Sequence, residues 1–196
     1  SAIEFNNPEL VKLYLKAGAN LYYQNQFNNC WLNYLFHPNP QYIYQDRQRI
    51  IMLDLLLELG LDINHSVSFW TNGELNHPLE ILYADRSKEL FLHIINKDLY
   101  LDIGQLSLIE EIIFSSDFWG IEAFAPLVKR YPEFKKPRYI MANDSSFWDD
   151  ANLLELCVYA KSQEYTEYLL DHYPQLKADS HAKSLLYAAS VSYTHL

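Results

Sequence analysis

I-M-L-D-L-L-L-E-L-G-L-D-I-N, residues 51–64, decides how this chain folds. Its leucines form a broad apolar face at helical spacing, and Gly60 stands where a left-handed residue ends a helix without steric penalty. An earlier stretch, N-N-P-E-L-V-K-L-Y-L-K-A-G-A-N-L at residues 6–21, follows the same grammar. Asn7 is placed as an N-cap, Pro8 at the first helical position, and Glu9 beside the positive end of the helix dipole. Leu10, Val11, Leu13, Tyr14 and Leu15 supply the apolar face, and Gly18 ends the helix. Gly18 and Gly60 stand 42 residues apart, so the two segments read as copies of one unit.

Working outward, helix pairs recur. Residues 79–84 and 88–95 form one pair, residues 106–114 and 121–130 a second, and residues 152–160 and 164–172 a third. The last two pairs end at Tyr131-Pro132 and Tyr173-Pro174, again 42 residues apart, and proline there blocks continuation of the helix. Valine is sparse, period-2 alternation is nearly absent and periodicity near 3.6 recurs, which argues against a β-rich fold.

These segments resemble the ankyrin repeat, whose second helix commonly ends L-L-L-x-x-G-A-D-V-N. Leu13, Leu15, Gly18, Ala19 and Asn20 match it in one copy, and Leu55, Leu56, Leu57, Gly60, Asp62, Ile63 and Asn64 in the next. The family's first helix begins T-P-L-H-x-A. Partial versions stand at His77-Pro78-Leu79-Glu80 through Ala84, at Cys30-Trp31-Leu32-Asn33, and at Ser184-Leu185-Leu186-Tyr187-Ala188-Ala189. The resemblance implies an all-α, ankyrin-type α-solenoid of about five to six helix-loop-helix repeats, longer than the family's usual ~33 residues because of insertions at residues 37–46, 64–76 and 133–150. One repeat domain over residues 1–190 is expected; another α-solenoid or a compact helical bundle is the structural competitor.

Both ends read as open. Residues 1–5 resemble the tail of a first helix, and residues 184–190 begin a repeat with no second helix. Residues 191–196, V-S-Y-T-H-L, match the in-frame translation of a transposase sequencing adapter, so this tail is expected to be non-native.

Composition excludes several function classes. With 25 acidic and 15 basic residues the formal charge is −10, which removes the electrostatic attraction that drives nucleic-acid and anionic-membrane binding. A basic protein is the complementary partner. No run of about 18 apolar residues and no secretory signal pattern occurs, and the two cysteines lie far apart in apolar helical segments, so a reducing cytoplasm is expected. A monomer is expected, and the degenerate form of the ankyrin resemblance implies a bacterial protein.

Chemistry-bearing motifs are missing from the sequence. None of the seven histidines falls in H-E-x-x-H or pairs with another at i, i+4, and no phosphate-binding glycine loop or G-x-S-x-G elbow occurs. His77 is expected to be structural and His93 a core or groove residue. Glu110-Glu111 and Asp149-Asp150 are adjacent, so they point apart on a helix and form no proton-sharing dyad; Asp149 or Asp150 is expected to cap the helix starting near Asn152. Cys157, amid Leu154, Leu156 and Val158, reads as an inert thiol. No catalytic function, metal or cofactor is expected.

Binding in ankyrin-type proteins, as the resemblance implies, uses the inter-repeat loops and the exposed first-helix face. Aromatics gather in those loops: Tyr22, Tyr23 and Phe27 in the first, Phe69 and Trp70 in the second, Tyr100 in the third, and Tyr139, Phe147 and Trp148 in the fourth. Large, stiff aromatic side chains are favoured at interface hot spots. Glu74, Asp102, Asp149 and Asp150 accompany them, so the expected function is a protein-interaction scaffold. The alternatives are an immunity or antitoxin-type protein neutralising a basic toxin, and the non-catalytic support domain of a larger enzyme.

Overall fold

Helix signals and tight turns in the sequence become eleven helices among the described residues of this computed structural model, which are 7–23, 32–36, 46–65, 67–68, 75–102, 108–130 and 152–178. In chain order they are α1 (Pro8–Lys16), α2 (Asn33–Phe36), α3 (Asp46–Glu58), α4 (Pro78–Ala84), α5 (Lys88–Asn96), α6 (Leu108–Phe114), α7 (Ser116–Trp119), α8 (Ile121–Arg130), α9 (Leu153–Tyr159), α10 (Gln163–His172) and α11 (Gln175–Ala178). The described regular structure is otherwise limited to an antiparallel pair, β1 (Val67–Ser68) and β2 (Leu75–Asn76), in register Val67 to Asn76 and Ser68 to Leu75. The fold is all-α. The chain divides into two compact units, residues 1–103 and 104–196.

In the first unit, Asn7 caps α1 by accepting the Leu10 N–H at 3.0 Å, and Gly18 and Gly60 take φ of +89° and +94° after α1 and α3. A side chain at either φ would be strained, which is why glycine stands there. α2 packs on α3 and α4 on α5; α2 also packs on α4, and α3 on α5. First helices therefore meet first helices, and second helices meet second helices. Met52, Leu53 and Leu56 of α3 and Leu90, Phe91 and Ile94 of α5 are buried between the layers, each contributing roughly 1.5–3 kcal/mol of transfer free energy.

Arg49 is the exception inside this core. Only 4% exposed, it donates Nε to the Leu35 carbonyl at 2.7 Å, one Nη to the Phe36 carbonyl at 2.8 Å, and the other to Asp46 Oδ1 at 3.0 Å and Ser87 Oγ at 2.8 Å. Burial lowers its pKa from the ordinary value, and Asp46 opposes that shift. Two carbonyls that end α2 unpaired within the helix thus gain a charged donor.

The second unit repeats the pattern. α8 packs on α6 and α10 on α9, while α6 meets α9 and α8 meets α10. α9 begins with a capping box: Asn152 Oδ1 accepts the Glu155 N–H at 3.1 Å, and the Glu155 carboxylate accepts the Asn152 N–H at 2.8 Å. Asn152 itself, not Asp149 or Asp150, is the cap, because the box requires the residue three before Glu155; Asp149 and Asp150 lie outside the described residues. His77 and Glu80 make the corresponding box at α4. The tight turns inside the pairs match as well, with Arg86 at φ 54° and Lys161 at φ 59°. Ser87 N–H donates to the Leu82 carbonyl and Ser162 N–H to the Cys157 carbonyl, both at 3.0 Å.

Three aromatic rings, Trp119, Phe124 and Tyr165, are buried in this unit's largely aliphatic core. Tyr165 stacks on Phe124 with centroids 4.1 Å apart, and its hydroxyl donates to the Gly120 carbonyl at 2.9 Å. Trp119 is buried beside them in sequence, at the end of the short α7, which the apolar periodicity does not predict. α11, also unpredicted, follows Pro174 and packs on α9, where Asn152 Nδ2 donates to the Leu176 carbonyl at 3.0 Å. Residues 1–5, 184–190 and 191–196 lie outside the described residues.

Candidate partner-binding edge

The tips that follow α1 and α3 are built from one local device, and the tip after α5 is tied to them. After each glycine, Asn20 and Asp62 fold the chain into a turn in which their Oδ1 atoms accept the N–H of Tyr22 and Asn64, both at 2.9 Å. Tyr22 and Asn64 then reach to the next tip. Tyr22 Oη accepts the Asp62 N–H at 2.7 Å, and Asn64 Oδ1 accepts the Asp102 N–H at 2.6 Å. Asn64 Nδ2 also donates to the Tyr100 carbonyl at 3.1 Å. Three tips are thereby tied side by side through two cross-links made by residues 42 positions apart.

His77 braces the middle of this arrangement from below. Its Nδ1 accepts the Leu79 N–H at 3.2 Å, so Nε2 carries the proton and points at Asn64 Oδ1, 3.4 Å away. Burial pushes its pKa down to about 4, against a weaker upward pull from Asp102 and Asp62. The ring is neutral near pH 7, as a structural cap requires.

On the outside of the tips stand Tyr23, 63% exposed, and Tyr100, 77% exposed. Tyr22, in contrast, is half-buried against the His65 ring at 4.2 Å, with its hydroxyl used within the chain. Asp62 and Asp102 are exposed on the same edge. Of the other residues placed in this role by the sequence, Phe27, Phe69, Trp70, Glu74, Tyr139, Phe147 and Trp148 lie outside the described residues.

His93 Nε2 meets Asp54 Oδ1 at 2.7 Å and Lys97 Nζ reaches the same oxygen at 2.9 Å, bridging α5 to α3. Burial raises the Asp54 pKa, but the bonds from His93 and Lys97 outweigh it and hold it below the usual carboxylate value. Cys157 is fully buried and its thiol pushed up by burial, which leaves no thiolate for chemistry. Among the described residues no group of three or more His, Cys, Asp or Glu could hold a metal ion, and no helix is long and apolar enough to cross a membrane. No protein-family model, curated protein or solved structure matches this chain.

Proposed function

We propose that this chain is an ankyrin-type helical-repeat protein whose inter-repeat tips grip a basic partner protein. The observation that carries the reading is the pair of cross-links from Tyr22 to Asp62 and from Asn64 to Asp102. They hold neighbouring tips in register before any partner arrives, so little ordering entropy is lost when Tyr23 and Tyr100 are buried on binding. Tyrosine suits this role because two χ angles carry a large contact area and a polar end. Asp62 and Asp102 on the same edge, in a chain of net charge −10, favour a partner rich in Lys and Arg and accelerate its encounter at low salt. The reading assigns no catalytic step or cofactor, and it places the protein in the cytoplasm.

Capture from lysate of the producing cells tests it. Immobilised wild type is expected to retain a basic protein in a salt-sensitive manner, and a Tyr23→Ala/Tyr100→Ala double variant with an unchanged circular-dichroism melt is expected to lose it. Equal recovery by both removes the tips from the binding role.

A further inference from the structure

Next to the first tip, the second helices of the first unit carry a further feature that shares Asn20 and Tyr22 with it. An apolar groove runs between α1 and α3, lined by Leu15, Leu21 and Leu55, with Leu59 42% exposed on its rim. Ile51, two turns before Leu59 on α3, is 53% exposed and extends the stripe. Apolar side chains left open on two neighbouring helices mark an interaction surface.

The rims decide what fits. On the α1 side stand Lys12 and Lys16; on the α3 side stands Glu58, one turn from Asp54. Since Gly18 and Gly60 end the two helices at equivalent points, Lys12 and Lys16 are the counterparts of Asp54 and Glu58, each 42 residues on. The C-terminal halves of both helices line the groove, Lys12, Leu15 and Lys16 beside Leu55, Glu58 and Leu59, and the Tyr22 to Asp62 bond ties the turns that follow them, which sets the counterparts level. Equivalent positions therefore carry opposite charge across the groove.

We propose that a second copy of this chain docks on the α1–α3 groove about a two-fold axis parallel to the helices. That axis lays α1 of one protomer against α3 of its partner, so that Lys16 meets Glu58 twice while the leucines close on each other. A two-fold axis across the helices would set lysine against lysine instead. Lys16 and Glu58 are exposed and make no ion pair among the described residues, so both are available for this contact. Lys12 already meets Glu9 at 3.0 Å, and Asp54 holds His93 and Lys97, so the second pair adds less.

Helices of 9 and 13 residues, about 10 Å apart, present a face of roughly 400 Å² per protomer, hence about 800 Å² in total. That is below the standard size of specific interfaces, so the association is weak, in the micromolar range or above, in place of the monomer expected from the sequence.

Sedimentation velocity on the full chain from about 5 to 500 μM reads this out, a range that covers micromolar association. Wild type is expected to move to the dimer with rising concentration. Lys16→Glu and Glu58→Lys, each a surface change that spares the fold, are expected to stay monomeric, and the double swap Lys16→Glu/Glu58→Lys to dimerise again. A wild type monomeric throughout, which would leave the groove to a different partner, overturns the proposal. So do single variants that associate like wild type, or a swap that restores nothing. No variant alters a tip residue, so self-association lost with partner capture retained, or the reverse, tells the failure of this proposal from the failure of the proposed function.

Discussion

The two units use one helix-pair plan and hold it together by different means. In residues 7–102 polar reach does this: Arg49 binds two carbonyls of α2 within its own pair, and neighbouring pairs are joined by Arg49 to Ser87, Tyr22 to Asp62, and Asn64 to Asp102. In residues 108–178 the corresponding work falls to stacked rings, with Tyr165 on Phe124 and Phe114 edge-on to Tyr159 at 6.2 Å. The capping boxes and the left-handed turn residues are shared. Local grammar thus sets the helix pair, and the means of joining pairs is free to vary. Polar links fix direction and leave Tyr23 and Tyr100 at the surface, whereas stacking buries Tyr165 and Phe124.

The largest expected effect lies in the aromatic unit. Tyr165→Ala removes a fully buried ring and leaves a cavity against Phe124, which should destabilise by about 3–5 kcal/mol in chemical denaturation. Tyr165→Phe keeps the stack and deletes only the bond to the Gly120 carbonyl, for about 1 kcal/mol. If the two variants lose the same amount, stacking is not what joins these pairs.

In the polar unit the corresponding change is Arg49→Met, which preserves much of the volume and strands the Leu35 and Phe36 carbonyls. We expect a loss on the order of 2–4 kcal/mol. A loss below ~0.5 kcal/mol, the range of ordinary surface substitutions, would mean that α2 is held by its apolar contacts alone.

Acid should separate the units next. The folded chain holds His77 near pKa 4, whereas an unfolded histidine titrates near 6.5, so protons bind the unfolded chain first. This group contributes nothing above pH 6.5, removes stability as pH falls from 6.5 to about 4, and levels off below that, for a total of up to about 3 kcal/mol. His77→Asn keeps an N-cap acceptor without the titration. Denaturant midpoints at pH 7 and pH 4.5 should fall further in wild type than in His77→Asn; parallel falls would show that the buried ring is not the sensor.

Local signals explain what was legible. Asn7, Pro8 and Gly18 bound α1, Gly60 ends the helix of residues 46–58, and the pair signals at 121–130 and 164–172 lie within a residue of α8 and α10. Contacts across dozens of residues left no such mark. Arg49 stands at the head of an apolar run, and nothing near it in sequence announces partners 13, 14 and 38 residues away. Tyr22 and Tyr23 look alike in the sequence, yet the hydroxyl of Tyr22 is committed to a tip 40 residues on while Tyr23 stands in solvent. Composition places aromatics in loops; only tertiary geometry sorts a tie from a contact residue.

Amide hydrogen exchange at Asp62 and Asp102 tests the cross-linked tips most directly. Both residues are exposed, so in free loops their amides would exchange at the open-chain rate. The bonds to Tyr22 and Asn64 predict about tenfold protection or more for each. Tyr22→Phe should release Asp62 alone and Asn64→Ala should release Asp102. Open-chain rates at both amides in the wild type would contradict the account.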